Sequence, residues 1–127
     1  MQEIKNTLSA IRAELESNLK YLQCESHPNM AKLTRFNQLV LESSVQTGIF
    51  SLFPTDLQIV LSEIYRNYQH NEMWVNKLFS LEYNWDKDKN AGHNKSLMEK
   101  VVISEHYLCD FIPKIISKID DELKRMK

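Results

Sequence analysis

Hydrophobic residues recur at helical spacing along most of this chain, and most regularly between Pro54 and Leu81. The recurring positions follow one another at steps of four and three residues: Leu57, Leu61, Ile64, Tyr68, Asn71, Val75 and Leu78. Residues three and four positions apart lie above one another on one face of a helix. The pattern therefore predicts one long amphipathic helix over residues 54–81, with the rest of the chain packed along it.

The segments before this helix carry the same pattern. Apolar residues at helical spacing predict a first helix over residues 2–23, with charged residues such as Glu14 on its outer side. A second helix is predicted over residues 31–47. It ends before Gly48, because glycine adopts without steric cost the left-handed conformation that commonly follows a helix.

The longest polar stretch of the chain, residues 82–95, follows the long helix and is predicted to be a flexible loop. Ser96 and Glu99 then form a capping box, which predicts the start of a last helix over residues 96–126. Pro113 lies inside this helix, where its missing N–H group predicts a kink.

Four amphipathic helices with two short connections and one longer loop predict an all-α fold. The arrangement typical of such connections is an antiparallel up-down-up-down four-helix bundle, here a single domain over residues 1–127. Composition agrees, since 43% of the residues are hydrophobic and the chain has only 2 Gly and 3 Pro, too few for a sheet protein with many turns.

Charge and motifs narrow the classes of function. The formal net charge of −1 makes nucleic-acid binding unlikely, because such proteins normally carry a basic excess on one face. The chain has no apolar run of about 18 residues, the length that predicts a membrane span. Catalytic triads, phosphate-binding loops and dinucleotide fingerprints are absent, so the chain is predicted to be non-enzymatic and to use no cofactor.

A set of positions over roughly residues 10 to 75 forms a recognisable pattern: Glu14-Leu15, Asn18-Leu19, Leu22, Thr47-Gly48-Ile49-Phe50-Ser51-Leu52-Phe53-Pro54, Asp56-Leu57, Leu61, Ile64-Tyr65 and Asn71. In this pattern the chain resembles a diffuse group of uncharacterised prokaryotic helical proteins, in which a membrane-spanning N-terminal segment often precedes the domain. The resemblance implies a longer, membrane-tethered form, and it implies no activity and no site residues. The domain itself is predicted to lie in the cytoplasm or at the inner face of the membrane.

Two asparagines, Asn18 and Asn71, interrupt apolar seams. A seam asparagine can fix the register between helices, and a buried amide must find hydrogen-bond partners. Alternatively, the two asparagines line a polar ligand pocket together with His70 and either Tyr65 or Tyr68. The sequence leaves both interpretations open.

A second ligand hypothesis concerns metal binding. His106, Cys109 and Asp110 have the spacing that places His106 on one helix face with either of its partners. A metal would still need ligands from elsewhere, so the metal site is the weaker alternative. The two cysteines, Cys24 and Cys109, have apolar neighbours and are predicted to be free thiols.

Aromatic residues supply the candidates for an interface, where such side chains are enriched: Trp74, Tyr83 and Trp85. The sequence as a whole predicts a non-enzymatic structural or protein-interaction helical module that binds a protein partner or self-associates. The alternative is a helical bundle that binds a small ligand or a metal.

Overall fold

The computed structural model describes residues 2–22, 36–82 and 87–126, with 79–82 and 87–94 described by their backbone alone. The described residues form four α-helices and no strand, which confirms the all-α prediction for this part of the chain. The helices are α1 (Gln2–Leu22), α2 (Leu39–Gln46), α3 (Thr55–Glu82) and α4 (Lys87–Arg125), and a 3₁₀ turn (Ile49–Leu52) lies between α2 and α3.

The long helix α4 packs against both α1 and α3, and the short helix α2 packs on α1. Arg12 of α1 pairs with Asp120 of α4 through two bonds, Nε to Oδ1 at 2.5 Å and Nη2 to Oδ2 at 3.2 Å. All four helices contribute to one apolar core, whose buried members are Leu8, Ile11, Leu15, Leu22, Leu41, Phe53, Leu57, Leu61, Ile64, Tyr68, Leu108, Ile112, Ile115 and Ile119.

The seam predicted for α3 is the face that the structure buries. Its positions from Leu57 to Val75 are all buried, and Leu78 is half-buried. Short-range spacing alone sets which side chains share a helix face, so this prediction needed no tertiary information.

The second helix is shorter than predicted. Residues 36–38 are not helical and α2 begins at Leu39, so the prediction of one helix over 31–47 is wrong there; residues 31–35 lie outside the described part of the chain. The physical reason is that the backbone N–H and C=O groups of Asn37 bond to the side chain of Asn18, which removes both groups from helical hydrogen bonding.

The fourth helix is longer than predicted. It begins at Lys87, so the predicted loop over 82–95 is wrong for residues 87–95, and the capping box at Ser96 does not mark the start of the helix. An apolar stripe reveals the part of a helix that packs, whereas helical hydrogen bonding can propagate through a polar segment beyond it. Residues 83–86 lie outside the described part of the chain.

Gly48 ends the α2 segment as predicted, with a left-handed φ of 83°. The 3₁₀ turn that follows was not predicted. Phe53 at its end is buried in the core, whereas Leu52 is exposed to solvent. In the described residues, no helix combines the length and the apolarity that crossing a membrane requires.

Candidate functional site

The side chain of Asn18 lies at the centre of a buried polar cluster that joins α1, the segment before α2, and α3. Its Nδ2 atom donates to the carbonyl oxygen of Asn37 at 2.8 Å and to the hydroxyl of Tyr68 at 3.0 Å. Its Oδ1 atom accepts from the backbone N–H of Asn37 at 2.8 Å. Both N–H groups and the carbonyl oxygen of this fully buried amide are therefore bonded within the protein.

Tyr68 belongs to the same cluster. Burial raises the pKa of its phenol, more than the hydrogen bond from Asn18 lowers it, so the hydroxyl stays neutral. The ring of Phe36 stacks on the ring of Tyr68, with centroids 4.6 Å apart and an interplanar angle of 18°. The chain at residues 36–37 is thus held by an aromatic contact and by the Asn18 amide.

Glu14, one helical turn before Asn18, holds the beginning of α2. Its Oε2 atom accepts from the N–H of Val40 at 2.9 Å, and its Oε1 atom lies 3.4 Å from the N–H of Leu41. The N-cap residue of α2, Gln38, makes no capping hydrogen bond with its side chain. The carboxylate of Glu14, on α1, accepts hydrogen bonds from the first N–H groups of α2 instead. Burial raises the pKa of Glu14, and the backbone hydrogen bonds oppose that shift.

The placement of Glu14 on the outer side of the first helix is wrong, since its residue is only 7% exposed. The sequence spacing did contain a signal that Glu14 is buried. Glu14 lies four residues before Asn18, and positions four apart share a helix face.

The second seam asparagine, Asn71, serves a different interface. It is fully buried between α3 and α4, and its Nδ2 atom donates to the hydroxyl oxygen of Ser104 at 3.3 Å. Its Oδ1 atom has no hydrogen-bond partner among the described residues.

The remaining residues of the predicted polar pocket lie at the surface. His70 is exposed, and its ring faces that of Trp74 at a centroid distance of 5.9 Å. Tyr65 is 36% exposed. The structure therefore brings Asn18 and Tyr68 together, but it does not assemble the full predicted set around one cavity.

Of the aromatic residues predicted for an interface, the structure describes Trp74, which is half-buried on α3 beside His70. Tyr83 and Trp85 lie outside the described residues. Trp74 alone does not define a surface.

The residues of the hypothetical metal site do not converge. His106 and Asp110 are exposed on α4. Cys109 is disulfide-bonded, so the prediction of a free thiol is wrong for this residue and no thiolate is available there as a metal ligand; Cys24 lies outside the described residues. Among the described side chains, no group of three or more His, Cys, Asp or Glu residues is placed to hold a metal ion.

A groove of about 540 Å³ lies between α2, the 3₁₀ turn and α3, and we call it the α2–α3 groove. Its apolar lining consists of Leu41, Val45, Phe50, Leu61 and Tyr65. Leu41 and Leu61 are buried and form its floor, whereas Val45 is 59% exposed. Sequence reasoning missed this groove, because no single helix pattern shows which gap a short neighbouring helix leaves uncovered.

The polar lining of the α2–α3 groove consists of Glu42, Gln46 and Ser62. Glu42 is the only one of these that carries a charge. Among the described residues, the groove therefore combines an apolar floor with one acidic side chain, a lining of the kind found in binding sites. The chain matches no protein-family model, no curated protein and no solved structure, so its candidate function rests on this geometry.

Proposed function

We propose that this protein is a non-enzymatic helical module that binds a protein partner through the apolar surface of the α2–α3 groove. The observation that carries the proposal is a contrast between the buried polar groups and the exposed apolar ones. The polar cluster around Asn18 is engaged in holding α2 to α1 and α3. Two apolar side chains of the groove lining are instead exposed, Val45 at 59% and Tyr65 at 36%.

Exposed apolar side chains are informative when they adjoin a concave surface. Single ones are ordinary on any protein, but a groove with a buried apolar floor offers area that a partner can remove from water. Val45 and Tyr65 stand at the edge of this groove, above Leu41 and Leu61. Tyrosine, present here as Tyr65, is one of the side chains enriched at the centres of protein interfaces.

Photo-crosslinking in the cells that make the protein tests this proposal. A benzophenone amino acid at Val45 is expected to give a covalent adduct with one partner, and the same amino acid at Lys118, an exposed position on α4, is the control. An adduct of twice the chain mass would identify the partner as a second copy. The absence of any adduct from Val45 and from Tyr65, a second exposed residue of the groove lining, would overturn the proposal.

The alternative is a bundle that binds a small ligand. One observation favours it, since the volume of the α2–α3 groove lies within the range of about 300–1,000 Å³ that is common for small-molecule pockets. A thermal-shift screen with small apolar molecules and elemental analysis of the purified protein test it. A stabilising compound or a bound metal would favour this alternative, and neither would be found if the groove serves a protein partner.

We also infer that α3 and α4 run in opposite directions, as in an up-down bundle. Two contacts support this, because Glu63 accepts a hydrogen bond from Tyr107 at 2.7 Å whereas Asn71, further along α3, bonds to Ser104, earlier in α4. The kink proposed at Pro113 is supported by the position of this proline inside α4.

We also propose a longer, membrane-tethered form of this protein. Only the resemblance over residues 10 to 75 supports it. The disulfide at Cys109 weighs against the cytoplasmic location, because such bonds persist mainly in oxidising compartments.

A further inference from the structure

We infer that the α2–α3 groove binds an amphipathic helix that carries a lysine or arginine beside its apolar face. This inference rests on the proposed function, and it specifies the chemistry of the partner. Shape, backbone hydrogen bonding and charge each contribute to it.

The shape of the groove suits a helix. Its walls are α2 and α3, and the 3₁₀ turn contributes Phe50 to its lining. Apolar side chains spaced three and four residues apart on a partner helix would lie along the floor formed by Leu41 and Leu61. This is the mode in which helical ligands enter grooves between helices.

Backbone hydrogen bonding favours a helix over a β-strand as the occupant. A β-strand exposes its N–H and C=O groups and needs a strand edge to bond them, and the described residues include no strand. Against an apolar floor, those groups would lose water and gain no partner, at a cost of about 1–3 kcal/mol for each buried group. A helix bonds its own backbone groups and avoids this cost.

The charge of the groove lining favours a partner helix with a basic residue. Among the described residues that line the groove, Glu42 is the one acidic side chain, and none of them is a lysine or arginine. The carboxylate of Glu42 makes this wall of the groove attract a cation and disfavour an acidic partner.

The charge of Glu42 argues against a second copy of this chain that docks through its own α2. The exposed helix nearest to the groove, α2, has the sequence Leu-Val-Leu-Glu-Ser-Ser-Val-Gln and contains no basic residue. A symmetric contact through α2 would also bring Glu42 of one copy toward Glu42 of the other, and like charges disfavour such a contact.

A charge-reversal experiment with designed peptides tests the inference. Two helical peptides of about five turns share leucines at helical spacing and differ in the flanking residue, which is lysine in one and glutamate in the other. The lysine peptide is expected to bind the wild-type protein at least about tenfold more tightly than the glutamate peptide. Glu42→Lys is expected to reverse that preference, and Glu99→Lys, the same change at an exposed position on α4, is expected to preserve it.

The location of binding is tested by blocking the groove. Val45→Asn, which removes apolar surface without adding charge, is expected to weaken binding of the lysine peptide at least about tenfold, whereas Ile103→Asn, a matched change at an exposed apolar residue of α4, leaves it intact. Circular dichroism spectra and melting curves show whether each variant is folded. Equal affinity for the two peptides, or no peptide binding by the wild-type protein, would overturn the inference. A crosslinked partner found at Val45 in cells would then leave the proposed function standing, so the two failures can be told apart.

Discussion

Asn18 is buried completely, yet its amide is satisfied at three points. Two of its partners are the N–H and C=O groups of Asn37, which lies 19 residues away, and the third is the hydroxyl of Tyr68. A net hydrogen bond contributes only about 1 kcal/mol, but a buried group that loses its partner costs about 1–3 kcal/mol. At the scale of residues, Asn18 therefore stabilises the fold mainly because its loss would leave other buried polar groups without hydrogen-bond partners.

Replacing Asn18 with alanine is expected to lower the free energy of unfolding by about 2–4 kcal/mol, because it leaves the backbone groups of Asn37 without partners. Urea unfolding followed by circular dichroism measures this change. Asn6→Ala, at an exposed position of the same helix, is the control and is expected to stay within about 0.5 kcal/mol. A loss below about 1 kcal/mol for Asn18→Ala would contradict the role assigned to the amide.

The free energy of unfolding is expected to depend on pH through Glu14. Burial raises the pKa of its carboxyl above the ordinary value of 4.5, so the folded protein binds the proton more tightly than the unfolded chain does. Its contribution to the free energy of unfolding is then fully present below about pH 4.5 and is lost as the pH rises through the raised pKa.

The difference in unfolding free energy between the wild type and Glu14→Gln is therefore expected to fall as the pH rises from 4.5 toward neutrality. Urea unfolding across this range measures it. Glu3→Gln removes one carboxylate from an exposed position of α1 and serves as the control. A wild type that gains stability relative to Glu14→Gln over the same range would show that the hydrogen bonds from Val40 and Leu41 outweigh burial.

At the scale of elements, α2 depends on its neighbours. It has eight residues, fewer than the roughly 12–15 that an isolated helix needs to be even marginally stable in water. Only Leu41 and Ser44 are buried within it. Glu14 bonds to its first turn, and Gly48 adopts the left-handed conformation that follows its end.

Replacing each of the two glycines of the chain with alanine is expected to change the stability in opposite directions. Gly48→Ala is expected to destabilise the protein by about 1 kcal/mol, because an alanine at a φ of 83° is strained even though its Cβ atom would meet nothing within 4 Å. Gly92→Ala is expected to stabilise it by about 0.5–1 kcal/mol, because the backbone of residue 92 lies inside α4.

Thermal unfolding of the two variants beside the wild type measures both effects. Gly92→Ala also tests the helical extension that the apolar pattern did not predict. A neutral or destabilising result would mean that residues 87–95 contribute no stable helix in solution.

At the scale of the whole molecule, α4 holds the other long helices together, since it packs against both α1 and α3. The disulfide at Cys109 adds a covalent constraint to this helix. Disulfides stabilise a fold largely by restricting the unfolded chain, so the effect belongs to the molecule and not to α4 alone.

In protein purified without reductant and unfolded in guanidinium chloride, Cys109 is expected to resist alkylation until dithiothreitol is added. Peptide mapping by mass spectrometry measures this. Reduction is expected to lower the free energy of unfolding by about 2–5 kcal/mol, and Cys109→Ser, as the matched control, is expected to show no further loss on reduction. Alkylation of Cys109 before reduction would contradict the disulfide.

The amino-acid sequence determined the all-α fold class, the seam of α3 from Leu57 to Val75, and the end of α2 before Gly48, because helical spacing and glycine geometry depend on residues close together in the chain. It also indicated that Asn18 and Asn71 are buried, but not which groups they would meet. Those partners lie 19, 50 and 33 residues away. Only the packing of helices against one another decided where α2 begins, that Glu14 is buried beneath it, and that an apolar groove stays open beside it. Contacts between distant segments depend on how whole helix faces fit together, and no local pattern encodes that fit.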